Sequence, residues 1–184
     1  MTASARAGRG KSAPMSTMQQ EGSNRNLKWF AARAISDRAY VLKYLEHFGF
    51  EYRRIASLPT LIFIHCSSRR IAGLRLELYD RVLFYMNAEK NRVQPVPERA
   101  MRSFLIFAPL HGKMLIYLPV DDPSIFDGPV YRVTSGDFAG CEGVLKRLKG
   151  EKRLVVRIND HAAVATPHIP AKLLEPVLEL GEGF

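Results

Sequence analysis

The sequence predicts an α+β chain in two parts: a sandwich of helices on a mostly antiparallel sheet, in the order β-α-β-β-α-β-α, followed by a small five-stranded β-barrel. Three observations predict it. Apolar residues switch between helical and two-residue periods from 27 to 108. A stretch rich in Pro and Asp then breaks the pattern from 109 to 128. Five short strand-like runs with tight turns fill 129–178.

Residues 1–26 are rich in Gly, Ser, Ala and Gln with almost no large apolar groups, and are expected to be a disordered basic tail. Order is expected to begin with the strand "LKWFAARAI". In "SDRAYVLKYLEHFGF", Ser36 or Asp37 can cap a helix that places Tyr40, Val41, Tyr44, Leu45 and Phe48 on one face and stops at Gly49. "EYRRI" and "TLIFIHC" predict two strands, the second apolar on both faces and therefore central. Ser67 or Ser68 can cap a second helix carrying Ile71, Leu74 and Leu78, which Gly73 weakens. "RVLFYMN" predicts a strand, and Pro97 opens a third helix with Met101, Phe104 and Leu105 inward.

Between 109 and 128, Pro109, Pro119 and Pro123 stand with Asp121, Asp122 and Asp127, the composition of a linker, although "KMLIYLPV" inside it can pair as an extra strand. "PVYRVTS", "EGVLKRL", "KRLVVRI", "HAAVATPHI" and "LLEPV" supply the five barrel strands, and 179–184 form a short tail.

The 184 residues carry a formal charge of +9, of which the tail holds +3 and the remainder +6. The ordered part is therefore basic in its own right, which favours an acidic partner such as nucleic acid. Cys66 and Cys141 have no metal or redox spacing, and a reducing cytoplasm suits them. No apolar run approaches the roughly 18 residues of a membrane span, and the N-terminus lacks the apolar core of a signal peptide. Secretion and a membrane partner are not expected.

Gly136, Gly140 and Gly143 invite comparison with a phosphate loop. Such a loop requires a Lys-Ser or Lys-Thr pair and a following helix, whereas "GVLKRL" alternates like a strand. The glycines are better explained as turn residues, supplying positive φ and letting two strands cross closely.

These segments together resemble the NusG family of transcription elongation factors over most of 27–178. "KWFAARAISDRAYVLKYLEHFGFE" is similar to the opening strand and helix of the family's N-terminal (NGN) domain, and "LPTLIFIHC" to its Pro-x-x-x-Phe/Val strand. "VYRVTSGDFAGCEGVLKRL" resembles the Val-x-Val, Gly-x-Phe-x-Gly-x-x-Gly core of an SH3-like KOW barrel. "VVRINDHAAVATPHIP" is most similar to UpxY-type paralogues, antiterminators of long capsule or exopolysaccharide operons. The resemblance implies an NGN domain at 27–108, a linker at 109–128 and a KOW barrel at 129–178, with Phe138 packed beneath the glycine turn.

It also implies a mechanism. The NGN domain docks through an apolar depression on RNA polymerase clamp helices, which places Leu61, Phe63 and Phe84 on an exposed face, with Arg33 where specialised members carry an aromatic. Ser67 and Ser68 stand where relatives touch the gate loop, and both also suit helix capping. Arg38, Lys43, His47, Arg69 and Arg70 occupy surfaces that contact the non-template DNA strand in specialised relatives, and equally suit a solvated face. Nascent RNA is a further possible nucleic-acid partner. In the loop that binds Rho or a ribosomal small-subunit protein, His161 or a neighbour replaces the family's aromatic, so that coupling is expected to be weak or altered. The short "IASLP" connection replaces a longer hairpin of many relatives, and the contact that hairpin makes is expected to be missing. A cytoplasmic monomer without cofactor or metal is expected.

The sequence also bears on two other classes. Enzyme chemistry is not expected, because the five histidines lack metal-ligand spacing and no paired carboxylates or nucleophile motif stands out. The alternative is an RNA-binding module acting without polymerase, since β-α-β-β-α-β is also the order of an RRM. "TLIFIHC", however, lacks the glycine and cation of the RRM strand motif.

Overall fold

One central strand with side chains buried on both of its faces organises the first half of the chain. The computed structural model describes residues 26–109 and 115–178, so the expectations for the N-terminal tail, for 110–114 and for 179–184 lie outside the described residues. Strands β1 (Leu27–Ala34), β2 (Glu51–Ile55), β3 (Leu58–Ser67) and β4 (Val82–Phe84) form an antiparallel sheet in the order β2-β3-β1-β4. Because successive residues of β3 point to opposite faces, Ile62, Ile64 and Cys66 face one side and Leu61 and Phe63 the other.

Helices α1 (Arg38–His47) and α2 (Ser68–Glu77) cover the first face. Asp37 accepts a hydrogen bond from the Tyr40 amide and Ser67 one from the Arg70 amide, so each helix start has a side-chain cap. Ile71, Leu74 and Leu78 are buried as their spacing requires. On α1 the buried stripe is narrower than expected: Val41 and Leu45 are buried, while Tyr40 and Phe48 are exposed. The sheet beneath α1 accommodates one row of side chains, and the aromatic rings pack against one another along its flank, Tyr44 lying 4.5 Å from Phe48.

Helix α3 (Glu98–Phe107) lies on the other face, between the two halves of the chain. Its buried residues are Ala100, Met101, Ser103, Phe104 and Phe107, and Leu105, expected inward, is 40% exposed. Being buried on two sides, the helix turns Phe104 to the first sheet and Ser103 to the second, which leaves position 105 outward. Phe63 stacks on Phe104 with centroids 4.7 Å apart. Phe104 meets Phe107, which meets Phe138. One apolar cluster therefore runs from the first sheet through α3 into the second.

That second sheet is antiparallel, with strands β5 (Ile116–Pro119), β6 (Val130–Val133), β7 (Glu142–Leu148), β8 (Glu151–Asn159), β9 (Ala162–Ala165) and β10 (Leu174–Pro176) in the order β10-β6-β7-β8-β9-β5. It has six strands where five were expected. The sixth, β5, comes from the Pro-rich stretch and pairs with β9. No ladder joins β5 to β10 among the described residues, so the sheet is not closed by strand pairing. Between β6 and β7 the chain turns at Gly136 (φ +86°) and Gly140 (φ +83°). Within β7, a Cβ on Gly143 would lie 2.7 Å from the Val155 carbonyl oxygen, a separation only glycine permits. Phe138 is buried beneath this turn.

Candidate docking face of the first sheet

Register decides which of the residues expected to dock share a face. Leu61 pairs with Arg33 and Phe63 with Ala31, so all four lie on the α3 side. Phe84 pairs with Ala32, which faces α1 and α2, and it packs in that core instead. Grouping Phe84 with Phe63 is thus corrected: β4 neighbours β1 rather than β3, and its parity is set by that pairing. The same register puts Leu83 opposite Arg33, on the α3 side, where it is 51% exposed.

The expectation of an uncovered patch at Leu61, Phe63 and Phe84 is also corrected, since they are 2%, 0% and 5% exposed. Their covers differ. Phe63 lies beneath Phe104 of α3, a helix that follows directly from the first sheet. Leu61 lies with Arg33, Leu58, Thr60 and Tyr85 around a recess of about 110 Å³ that Tyr117 of β5 also lines. The Tyr85 hydroxyl donates to the Tyr117 oxygen at 3.0 Å, and the Arg33 guanidinium sits 5.5 Å from the Tyr117 ring centroid. Burial, then the hydrogen bond to Tyr117, pushes the Tyr85 phenol far above its ordinary value. Nearby, the Asn159 side-chain amide donates to the Met86 carbonyl at 3.4 Å. Leu83, paired with the recess residue Arg33, remains exposed.

Polar contacts join α3 to the second sheet. Buried Ser103 donates to the Glu142 carbonyl at 3.0 Å and accepts from the Glu142 amide at 2.9 Å. The Glu142 carboxylate accepts from Arg99 of α3 and, at 2.8 Å, from Arg132 of β6. Burial pushes this carboxyl upward, but the Arg99 and Arg132 hydrogen bonds outweigh it and hold the group below its ordinary 4.5.

The expected nucleic-acid residues are dispersed. Arg38 donates to the Pro59 carbonyl at 3.2 Å. Arg70 donates to the Phe48 carbonyl at 2.6 Å and lies 4.1 Å from the Phe50 ring centroid. His47 packs edge-on against Phe48. Lys43 and Arg69 are exposed. Ser67 is spent as the α2 cap, leaving Ser68 exposed in the first turn. His161 is exposed in the β8–β9 turn, where its carbonyl accepts from the Val120 amide.

Sequence reasoning missed Leu83, Tyr85 and Tyr117. Alternation around Phe84 could have found the first two, since its neighbours must face the opposite side; no local signal announces Tyr117. Among the described residues no group of His, Cys, Asp and Glu could hold a metal ion, and no helix is long and apolar enough to cross a membrane. Burial pushes the Cys66 thiol to about 11 and Cys141 to about 12, so neither is a ready nucleophile.

The sequence matches no protein-family profile and no curated protein. Among solved structures, one describing domain interaction in Thermotoga maritima NusG is similar at 19% identity, covering 83% of this chain and 98% of that one, with a TM-score of 0.43.

Proposed function

We propose that this chain is a NusG-like transcription factor, an NGN domain followed by a KOW barrel, that docks on the clamp helices of RNA polymerase and promotes processive elongation and antitermination. The observation carrying this reading is Leu83, an apolar side chain left exposed on the α3 side of the first sheet, opposite Arg33. Such residues concentrate docking energy when a partner desolvates them. The deeper part of the depression, Leu61 and Tyr85, becomes available only when Tyr117 withdraws, so full docking requires movement of β5. The similarity of 155–170 to UpxY-type paralogues supports a capsule or exopolysaccharide operon as target. Lys43 and Arg69, exposed cations, are the residues proposed to meet the non-template strand.

An in vitro elongation assay with cognate polymerase tests the reading. Wild type is expected to shorten pauses and raise terminator readthrough, and Leu83→Asp to weaken polymerase binding by at least about tenfold while remaining folded. Equal binding and equal pausing by the two proteins would sink it.

A further inference from the structure

On the opposite side of the first sheet, a cleft of about 270 Å³ opens between α2, the start of β1 and the 91–95 segment. Positions 68, 71, 72 and 75 recur on one face of a helix, and all four line it, so α2 forms one wall. Ile71 and Val93, both buried, make the floor. The far wall is pinned by the Met86–Val93 and Phe30–Pro95 bridges and by the Asn87 side chain, which accepts from the Asn91 and Arg92 amides.

Three cations, Lys28, Arg75 and Arg92, reach this cleft from three different segments, and among the described residues no acid lines it. The nearest carboxylate in its hydrogen-bond network is Glu89, which accepts from the Asn91 amide. Among the described residues, none of the three cationic side chains has an ion pair or a hydrogen bond. Like charges converging on a concave site repel one another and raise its affinity for anions. The first turn of α2, at Ser68, adds the positive end of its helix dipole. The volume, about 270 Å³, falls just short of the roughly 300–1,000 Å³ range of drug-sized ligand sites, which suits a small ligand. An apolar floor beneath a cationic rim suits a ligand with a flat or apolar body and a charged end.

We infer that this cleft binds a phosphate-bearing ligand of mononucleotide size, its phosphates held by Lys28, Arg75 and Arg92 and its base or sugar laid on Ile71 and Val93. Parity separates it from the docking face: Lys28 pairs with Cys66, on the helix-covered side of the sheet, whereas Leu83 is on the other. The inference therefore stands or falls independently of polymerase docking.

Isothermal titration of the full chain with ADP, GDP and pyrophosphate tests it. Saturable 1:1 binding of a nucleoside diphosphate, competed by pyrophosphate, is expected. The Arg75→Gln/Arg92→Gln double variant should bind at least about tenfold more weakly, and Ala72→Phe, which fills the cleft, should not bind. Both variants alter exposed side chains, so circular dichroism and melting temperature should match wild type. Three results would each overturn the inference: no saturable binding at millimolar nucleotide, equal affinity in wild type and the double variant, or binding of a single-stranded oligonucleotide alone.

Discussion

Phe63 and Leu83 occupy the same side of one sheet, yet a charge should affect them in opposite ways. Phe63 is wholly enclosed and stacked on Phe104. An aspartate there would be buried without a partner, so Phe63→Asp is expected to cost more than about 3 kcal/mol and to unfold much of the chain. Leu83→Asp falls on an exposed side chain and should change stability by less than about 0.5 kcal/mol. Urea denaturation followed by circular dichroism separates the two, and it makes Leu83, not Phe63, the useful probe of docking. Gly143 permits an equally sharp expectation. A methyl group 2.7 Å from the Val155 carbonyl must push two hydrogen-bonded strands apart, so Gly143→Ala should lose about 1–3 kcal/mol, read as a lower thermal midpoint. These local constraints left marks in the sequence: the Gly-x-Phe-x-Gly-x-x-Gly spacing announced a tight turn, and Ser67 and Asp37 announced helix starts. Which face Phe84 occupies left no such mark, because parity in a sheet depends on which strand becomes the neighbour.

At the scale of elements, the periodic segments were legible and their surroundings were not. All three helices stand where spacing and caps placed them, and β3 is central as its two apolar faces demanded. The Leu105 error has one cause: the second sheet packs on the side of α3 that carries Ser103 and Phe107, which rotates the buried arc away from position 105. Sequence periodicity shows that a buried arc exists but not which side a second partner will claim. β5 was read only as an optional strand within a linker for a related reason, since four residues bounded by Pro-rich chain become a strand only because β9 presents an edge. The contact of α3 with the second sheet rests on Ser103, whose hydroxyl satisfies both the amide and the carbonyl of Glu142. Ser103→Ala would leave those buried groups without this partner. A loss of about 1–2 kcal/mol is expected, measurable as a lower urea midpoint with the m-value unchanged if the chain still unfolds in one step.

Across the whole molecule, Glu142 ties α3 to the second sheet, and its titration should report on that junction. Its carboxylate bridges Arg99 on α3 and Arg132 on β6 with its side chain only 9% exposed. Burial alone would raise its pKa, yet the two guanidinium partners hold it below 4.5. The folded state therefore binds this proton less readily than the unfolded chain. Its contribution to stability is full above the unfolded value and is lost as pH falls through the lower folded value. Glu142→Gln keeps the side chain's shape but removes the charge, and should destabilise by about 2 kcal/mol at pH 7, as expected for hydrogen bonds to a charged group. The gap in urea midpoint between wild type and variant should stay constant above about pH 5.5 and narrow as pH drops below about 4.5. A gap independent of pH down to pH 3 would mean that the carboxylate does not hold the junction. The same variant connects stability to docking. If Tyr117 must withdraw before Leu61 and Tyr85 can be reached, loosening the attachment of the second sheet lowers the cost of that withdrawal. Glu142→Gln should then bind polymerase more tightly than wild type, although it is the less stable protein.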